Sequence, residues 1–200
     1  MKAIVFDTEV NSLESKEVIE LAYCEAWFDS GELSFGTIEW QRFKPKNSFE
    51  AGAVAVHRIL PEDVDLAFQS ETAQLPHSEY IIAHNVDFDA EVMKVTNKKI
   101  CTLAISRRLW PQFKSHSLSS LFLELFGMNR SNVDILKSSH SAATDVMVLN
   151  QILTCIVKEC KVQSFDDLFE FSEEARIPIV MLFGKHKGTK IADLDSGYVN

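Results

Sequence analysis

Near the N-terminus, Lys2 to Phe6 is a short run of β-branched and aromatic residues that leads into Asp7-Thr8-Glu9. Such a run predicts a central strand. Residues two apart on a strand share a face, so Asp7 and Glu9 present two carboxylates side by side. Like charges held that close repel and take up protons unless a cation neutralises them. Oxygen ligands suit hard divalent ions, which makes Mg²⁺ or Mn²⁺ the fitting guest. Taken alone the tripeptide is common, and a solvated strand end accounts for it more readily.

Two further polar clusters stand later in the chain. Ala83-His84-Asn85-Val86-Asp87-Phe88-Asp89 carries an apolar strand into a polar turn and then into helical spacing, a junction where sites are often built. Read as structure, Asp87 or Asp89 caps that helix. In His140-Ser141-Ala142-Ala143-Thr144-Asp145, the outer two residues are five apart, too far round a helix to share a face. They converge only if His140 lies in the preceding loop and Asp145 projects from the first turns. Alone, such a histidine is more often a surface residue or a cap.

In this order the three segments resemble the three motifs of the DEDDh family, 3′→5′ exonucleases with an RNase H-like fold. Asp7 and Glu9 match the first motif, Asp89 the second, and His140 with Asp145 the third, over roughly residues 1 to 160. The resemblance implies an α/β protein, with an RNase H-like mixed five-stranded sheet flanked by helices and a small C-terminal extension. It also implies hydrolysis of phosphodiester bonds from a 3′ end with release of nucleoside monophosphates. Asp7, Glu9, Asp89 and Asp145 would hold two Mg²⁺ (or Mn²⁺) ions, and His140 would be the general base toward the attacking water. Leu13, His57, His84, Asn85 and Phe88 would surround the terminal nucleotides, with Leu13 and Phe88 stacking on or wedging between bases. Read without the resemblance, His57 is a loop histidine, His84-Asn85 a turn and Leu13 a core residue. One departure stands out: Val10-Asn11-Ser12 replaces the glycine-containing loop that usually follows the first motif.

Several elements must hold these residues in place. Val18 to Phe28 and Leu33 to Phe43 are strand-like and flank Asp29-Ser30-Gly31, which predicts a hairpin. Pro61 opens a short helical piece. Tyr80 to Ala83 reads as a buried strand, Phe88 to Val95 as helix, and Lys99 to Thr102 as a further strand. From Ala142, the residues Val146, Leu149, Ile152, Leu153, Ile156 and Val157 form one apolar helical stripe. Ser164 to Ala175 is acidic without a basic residue, and reads as a linker or short solvated helix. The expected division is therefore an exonuclease domain over 1–163, a boundary segment over 164–175, and a small basic C-terminal segment over 176–200.

Whole-chain numbers bound the alternatives. With 200 residues, 46% hydrophobic and 24% charged, the chain is one globular domain with room for a small appendage. The formal charge of −9 argues at first against nucleic acid. Its distribution reverses that argument. Between Val92 and Leu123 there is no Asp or Glu, while Lys94, Lys98, Lys99, Arg107, Arg108 and Lys114 supply positive charge and Trp110 and Phe113 lie among them. This is the mixture of a groove that binds phosphates and stacks bases, with Arg107 and Arg108 as substrate contacts; the plainer reading is a solvated positive face. The Gly184 to Gly188 segment, with Lys185 and Lys187, reads as a second phosphate contact or as a hairpin turn. Cys24, Cys101, Cys155 and Cys160 show no CxxC spacing, so reduced thiols are expected. A short N-terminal apolar run and no membrane-length stretch lead to the expectation of a soluble cytoplasmic protein. The expected partner is nucleic acid, DNA 3′ ends in repair, with no membrane. The rivals are an exoribonuclease carrying the same motifs and a catalytically idle nucleic-acid-binding module.

Overall fold

The computed structural model describes residues 2–137, 140–181, 184–186 and 188–194. Its frame is a mixed sheet of β1 (Lys2–Val10), β2 (Val18–Asp29), β3 (Glu32–Phe35), β4 (Glu39–Lys44), β5 (Phe68–Gln69), β6 (Tyr80–Ala83) and β7 (Lys98–Cys101). The strand order is β5-β4-β2-β1-β6-β7, with β3 also on β2. β1, β6 and β7 run parallel, and β2 is antiparallel to β1. Among the described residues, seven α-helices surround the sheet: α1 (Ala51–His57), α2 (Val86–Val92), α3 (Thr102–Leu109), α4 (Leu118–Phe126), α5 (Arg130–Leu136), α6 (Ala142–Cys160) and α7 (Phe165–Arg176).

Strand alternation sorts β1 between two cores. Ala3 and Val5 pack on the α6 side with Ala22, Cys24 and Ala26, while Ile4, Phe6 and Val10 pack on the α2 side with Val86 and Ala90. Asp7 and Glu9 continue the first set, so they face α6. The apolar stripe of α6 is buried as expected, with Val146, Leu149, Ile152, Leu153 and Ile156 each at most 1% exposed.

The structure departs from the sequence expectations in three places. The sheet has seven strands where five were expected, because the second hairpin arm is broken at Gly36-Thr37-Ile38 and a two-residue edge strand is added. The β3 and β4 halves both pair with the long β2, their registers offset by one residue. β1 runs on from the expected Lys2–Phe6 run to Val10, so Asp7 and Glu9 lie in its last four residues. The acidic run 164–175 is no solvated boundary: in α7, Phe165, Leu168, Ser172 and Ala175 are buried. Its acids occupy the outer face, while Ser172 Oγ accepts the Cys101 N–H at 2.8 Å. α7 is therefore packed into the domain that was expected to end at residue 163. All four cysteines are free, and Cys24 and Cys101 are buried.

Candidate active site

Glu9, His140 and Asp145 bring one ligand atom each to within 4.8 Å of one another. Two features of the fold make this possible. His140 sits before α6 with a left-handed backbone, φ 66°, and its N–H donates to Asp145 Oδ2 at 3.2 Å. That contact closes the five-residue gap that a regular helix would leave open. The third acid-bearing element arrives from the other side. Asp89, buried in α2, accepts the Thr8 N–H at 3.1 Å and the Thr8 hydroxyl at 2.7 Å through Oδ1. Thr8 faces away from Asp7 and Glu9, yet its backbone belongs to the strand that carries them, so Asp89 is held against β1.

The electrostatics mark the four carboxylates as one cluster. Burial holds the Asp7 carboxyl well above the ordinary carboxylate range, and Asp89, Asp145, Glu9 and Glu20 add repulsion. Glu9 is pushed up to about 9 by burial first, then by Asp145, Glu20 and Asp89. Asp89 rises to about 7 through burial, moderated by the two Thr8 hydrogen bonds. Asp145 rises to about 6 through burial, moderated by the His140 N–H and the His140 charge. Among the described residues, none of the four forms an ion pair with Lys or Arg. Clustered oxygens without a cationic partner fit divalent cations, which would replace the missing counter-charge.

Glu20 is the residue that the sequence did not reveal. It lies directly opposite Glu9 in the β1–β2 register, beside a bulge at Glu9/Val10, and is 2% exposed. Its Oε2 accepts the Ala142 N–H at 2.8 Å and its Oε1 accepts from Arg42 Nε at 3.2 Å. Ser141 makes no side-chain cap at the start of α6, and Glu20 fills that place from across the sheet. It fixes the helix end that carries both His140 and Asp145. No local pattern could have signalled it, because only the strand register brings it there.

The expected substrate contacts divide. Leu13 is 69% exposed on the loop after β1, contrary to a core reading and in line with a nucleotide contact. Phe88 is half-buried with the Lys16 ammonium 5.8 Å from its ring centre. His57 ends α1 beside Val10, Glu20 and His140, and burial pushes its pKa down. Its Nδ1 accepts the Ile59 N–H at 3.0 Å, whereas among the described residues its buried Nε2 meets no partner in good hydrogen-bond geometry. Asn85 is an exposed left-handed residue, φ 73°, leading into α2. By contrast, both His84 ring nitrogens serve the fold: Nε2 donates to the His116 carbonyl at 2.8 Å, and Nδ1 is 3.1 Å from the Thr102 hydroxyl. Burial drives its pKa down to about 4, so the ring is neutral.

Arg108, expected at substrate, instead donates to the Glu174 and Ile177 carbonyls at the end of α7. Trp110 is buried and stacked on Phe113, ring centres 6.0 Å apart, and offers no face to a base. Lys98 and Lys99 pair with Glu79 and Asp87. Arg107 and Lys114 remain exposed and line a common cavity. Lys187 lies outside the described residues.

The sheet order, the three acid-bearing segments and the histidine before α6 resemble those of the DEDDh-type 3′→5′ exonucleases, and solved exonuclease structures share the fold. The chain is similar to Exodeoxyribonuclease 10 of Escherichia coli (strain K12), with 26% identity over 166 residues that cover 78% of this chain and 72% of the relative. No protein-family model matches the chain. Among solved structures, Exonuclease X in complex with 5′-overhanging duplex DNA superposes with a TM-score of 0.66 at 21% identity, covering 85% of this chain and 99% of that one. E. coli Exonuclease I in complex with a dT13 oligonucleotide superposes with a TM-score of 0.63 at 19% identity, covering 90% of this chain and 46% of that one. Among the described residues, no helix is long and apolar enough to cross a membrane.

Proposed function

We propose that this protein hydrolyses DNA from the 3′ end and releases nucleoside monophosphates, in the cytoplasm and as part of DNA repair. The observation that carries the proposal is the convergence of Asp7, Glu9, Asp89 and Asp145 with His140 at the end of β1. Asp7, Glu9, Asp89 and Asp145 would hold two divalent ions, Mg²⁺ or Mn²⁺. When bound, these supply Lewis-acid stabilisation of the attacking and leaving oxygens of an in-line displacement. His140 takes the proton of the attacking water, the general-base role that a positioned imidazole commonly serves. Its backbone N–H on Asp145 holds the base and one acid in fixed relation. Leu13, Phe88 and His57 surround the terminal nucleotides, Leu13 against a base face because it is apolar and exposed on the loop after the first motif.

The relatives named above favour DNA over RNA. End-labelled single-stranded DNA, duplex DNA and RNA of one sequence, each incubated with Mg²⁺ or with EDTA, test the proposal. DNA is expected to be degraded with Mg²⁺ and spared with EDTA. Faster degradation of RNA would overturn the choice of substrate, and no degradation of any strand would overturn the enzyme assignment in favour of an idle binding module.

A further inference from the structure

A cavity of about 420 Å³ opens beside the carboxyl ends of β6 and β7, and none of the five motif residues lines it. Its walls come from four places: His84 just after β6, Leu103 and Arg107 of α3, the 111–117 loop, and Val180, Met181 and Gly188 of the C-terminal segment. Resting on the exonuclease reading, we propose that this cavity binds one internal nucleotide of the substrate strand. Arg107, Lys114 and the Ser115 hydroxyl take its phosphate, and Phe113, Leu103 and Met181 form the apolar wall for its base.

Four observations lead there. No described lining residue is Asp or Glu, in a chain that carries 29 of them. Arg107 and Lys114 form no ion pair among the described residues, whereas Lys98, Lys99 and Arg108 of the same basic stretch are spent on the fold. A solvated positive face would be convex and wet, but here the cations rim a concavity with an aromatic ring and aliphatic side chains in its wall. Finally, the C-terminal wall is fixed in place. Arg108 ties α3 to the Glu174 and Ile177 carbonyls, and the Gly188 N–H donates to Met181 O (2.8 Å) and the Met181 N–H to Thr189 O (2.9 Å), which joins the Met181 and Gly188 sides of that wall.

The position suits an internal nucleotide rather than the terminal one. β1, β6 and β7 are successive parallel strands, with the acids at the carboxyl end of β1 and α3 starting directly after β7. Two strand spacings are roughly 10 Å, about three nucleotides at the ~3.4 Å rise of a stacked strand. The nucleotide held here therefore lies a few positions upstream of the scissile bond.

The test is fluorescence anisotropy of a 5′-fluorescein twelve-nucleotide DNA strand in EDTA, with wild type, the Arg107→Glu/Lys114→Glu double variant and Met181→Glu. Both cations are exposed, so thermal melts should confirm intact folding. The double variant is expected to bind about tenfold more weakly. Its log K against log salt plot should be shallower by about 1.4, since each phosphate contact on a single strand contributes about 0.7. Met181→Glu should weaken binding as well, which implicates the C-terminal wall. Unchanged affinity and slope in the double variant would overturn the proposal. So would competition by thymidine monophosphate as effective as that by the strand, which would make the cavity a product site. With Mg²⁺, wild type should show a lower KM for the twelve-nucleotide strand than for a trinucleotide, and the double variant should lose that preference. If wild type binds through Arg107 and Lys114 but hydrolyses nothing, the exonuclease reading fails while the cavity assignment stands.

Discussion

Glu20 and Ala142 are 122 positions apart, yet the carboxylate of one accepts the first free N–H of the helix that carries Asp145. Asp7, Glu9, Asp89, His140 and Asp145 were legible in the sequence because short local motifs carry them. Glu20 was not, since its role follows from strand register and a bulge that places it opposite Glu9. Glu20→Ala should cost about 2 kcal/mol in urea unfolding, the price of an unmet buried N–H. Glu20→Gln keeps an acceptor for Ala142 and should recover more than half of that loss. Both variants relieve the repulsion on Glu9 equally, so their difference isolates the hydrogen bond. The same comparison should appear in kcat, lowered about tenfold by Ala and largely restored by Gln, with KM changed little. Equal stability and kcat in the two variants would contradict the positioning role.

At the scale of elements, β1, β6, β7 and α6 were legible because their apolar patterns match the periods of strand and helix. α7 was misread because Asp166, Asp167, Glu170, Glu173 and Glu174 dominate its composition, while its core contacts come from four spaced residues. Phe165 is 2% exposed and packs on Phe28 and Tyr80, with ring centres 5.0 and 5.9 Å away. Phe165→Ala should therefore cost about 3–5 kcal/mol, measured by chemical unfolding. A cost under ~1 kcal/mol would return 164–175 to the status of a linker. α3, α4 and α5 were not assigned from sequence, since at eight, nine and seven residues each is too short for a helical period to stand out.

His84 shows how an element junction sets a pH response. Its folded pKa of about 4 lies below the ordinary 6.5, so the unfolded chain takes up a proton first as pH falls. Stability due to a neutral His84 is complete above pH 6.5 and is lost as pH falls toward 4. The raised carboxylates act in the opposite sense, so the informative quantity is the difference between wild type and His84→Gln. That difference should shift against wild type by about 3 kcal/mol between pH 7 and 4. A pH-independent difference would contradict the buried neutral ring.

For the whole molecule, a net charge of −9 is a poor guide to partners, because the acids and cations are segregated. Four acids share one site at the end of β1, and Arg107 and Lys114 rim a separate acid-free cavity. The metal-free protein bears the repulsion of the carboxylate cluster, and divalent ions relieve it. Mg²⁺ at about a hundredfold its dissociation constant should stabilise the fold by about 2.7 kcal/mol, read as a rise in Tm. Asp7→Asn should melt higher than wild type without metal and gain little from Mg²⁺. A wild-type Tm indifferent to Mg²⁺ would contradict the assignment of the acids as ligands.

The central claim is directional hydrolysis by these five residues, and one gel tests it most directly. A single DNA strand is labelled at its 5′ end in one sample and at its 3′ end in another, and both are digested with Mg²⁺ by wild type and by His140→Ala. The account predicts a descending ladder from the 5′ label, immediate release of labelled mononucleotide from the 3′ label, and a rate at least ~100-fold lower for the variant. Mononucleotide released first from the 5′ label, internal cuts, or an undiminished rate in His140→Ala would contradict it.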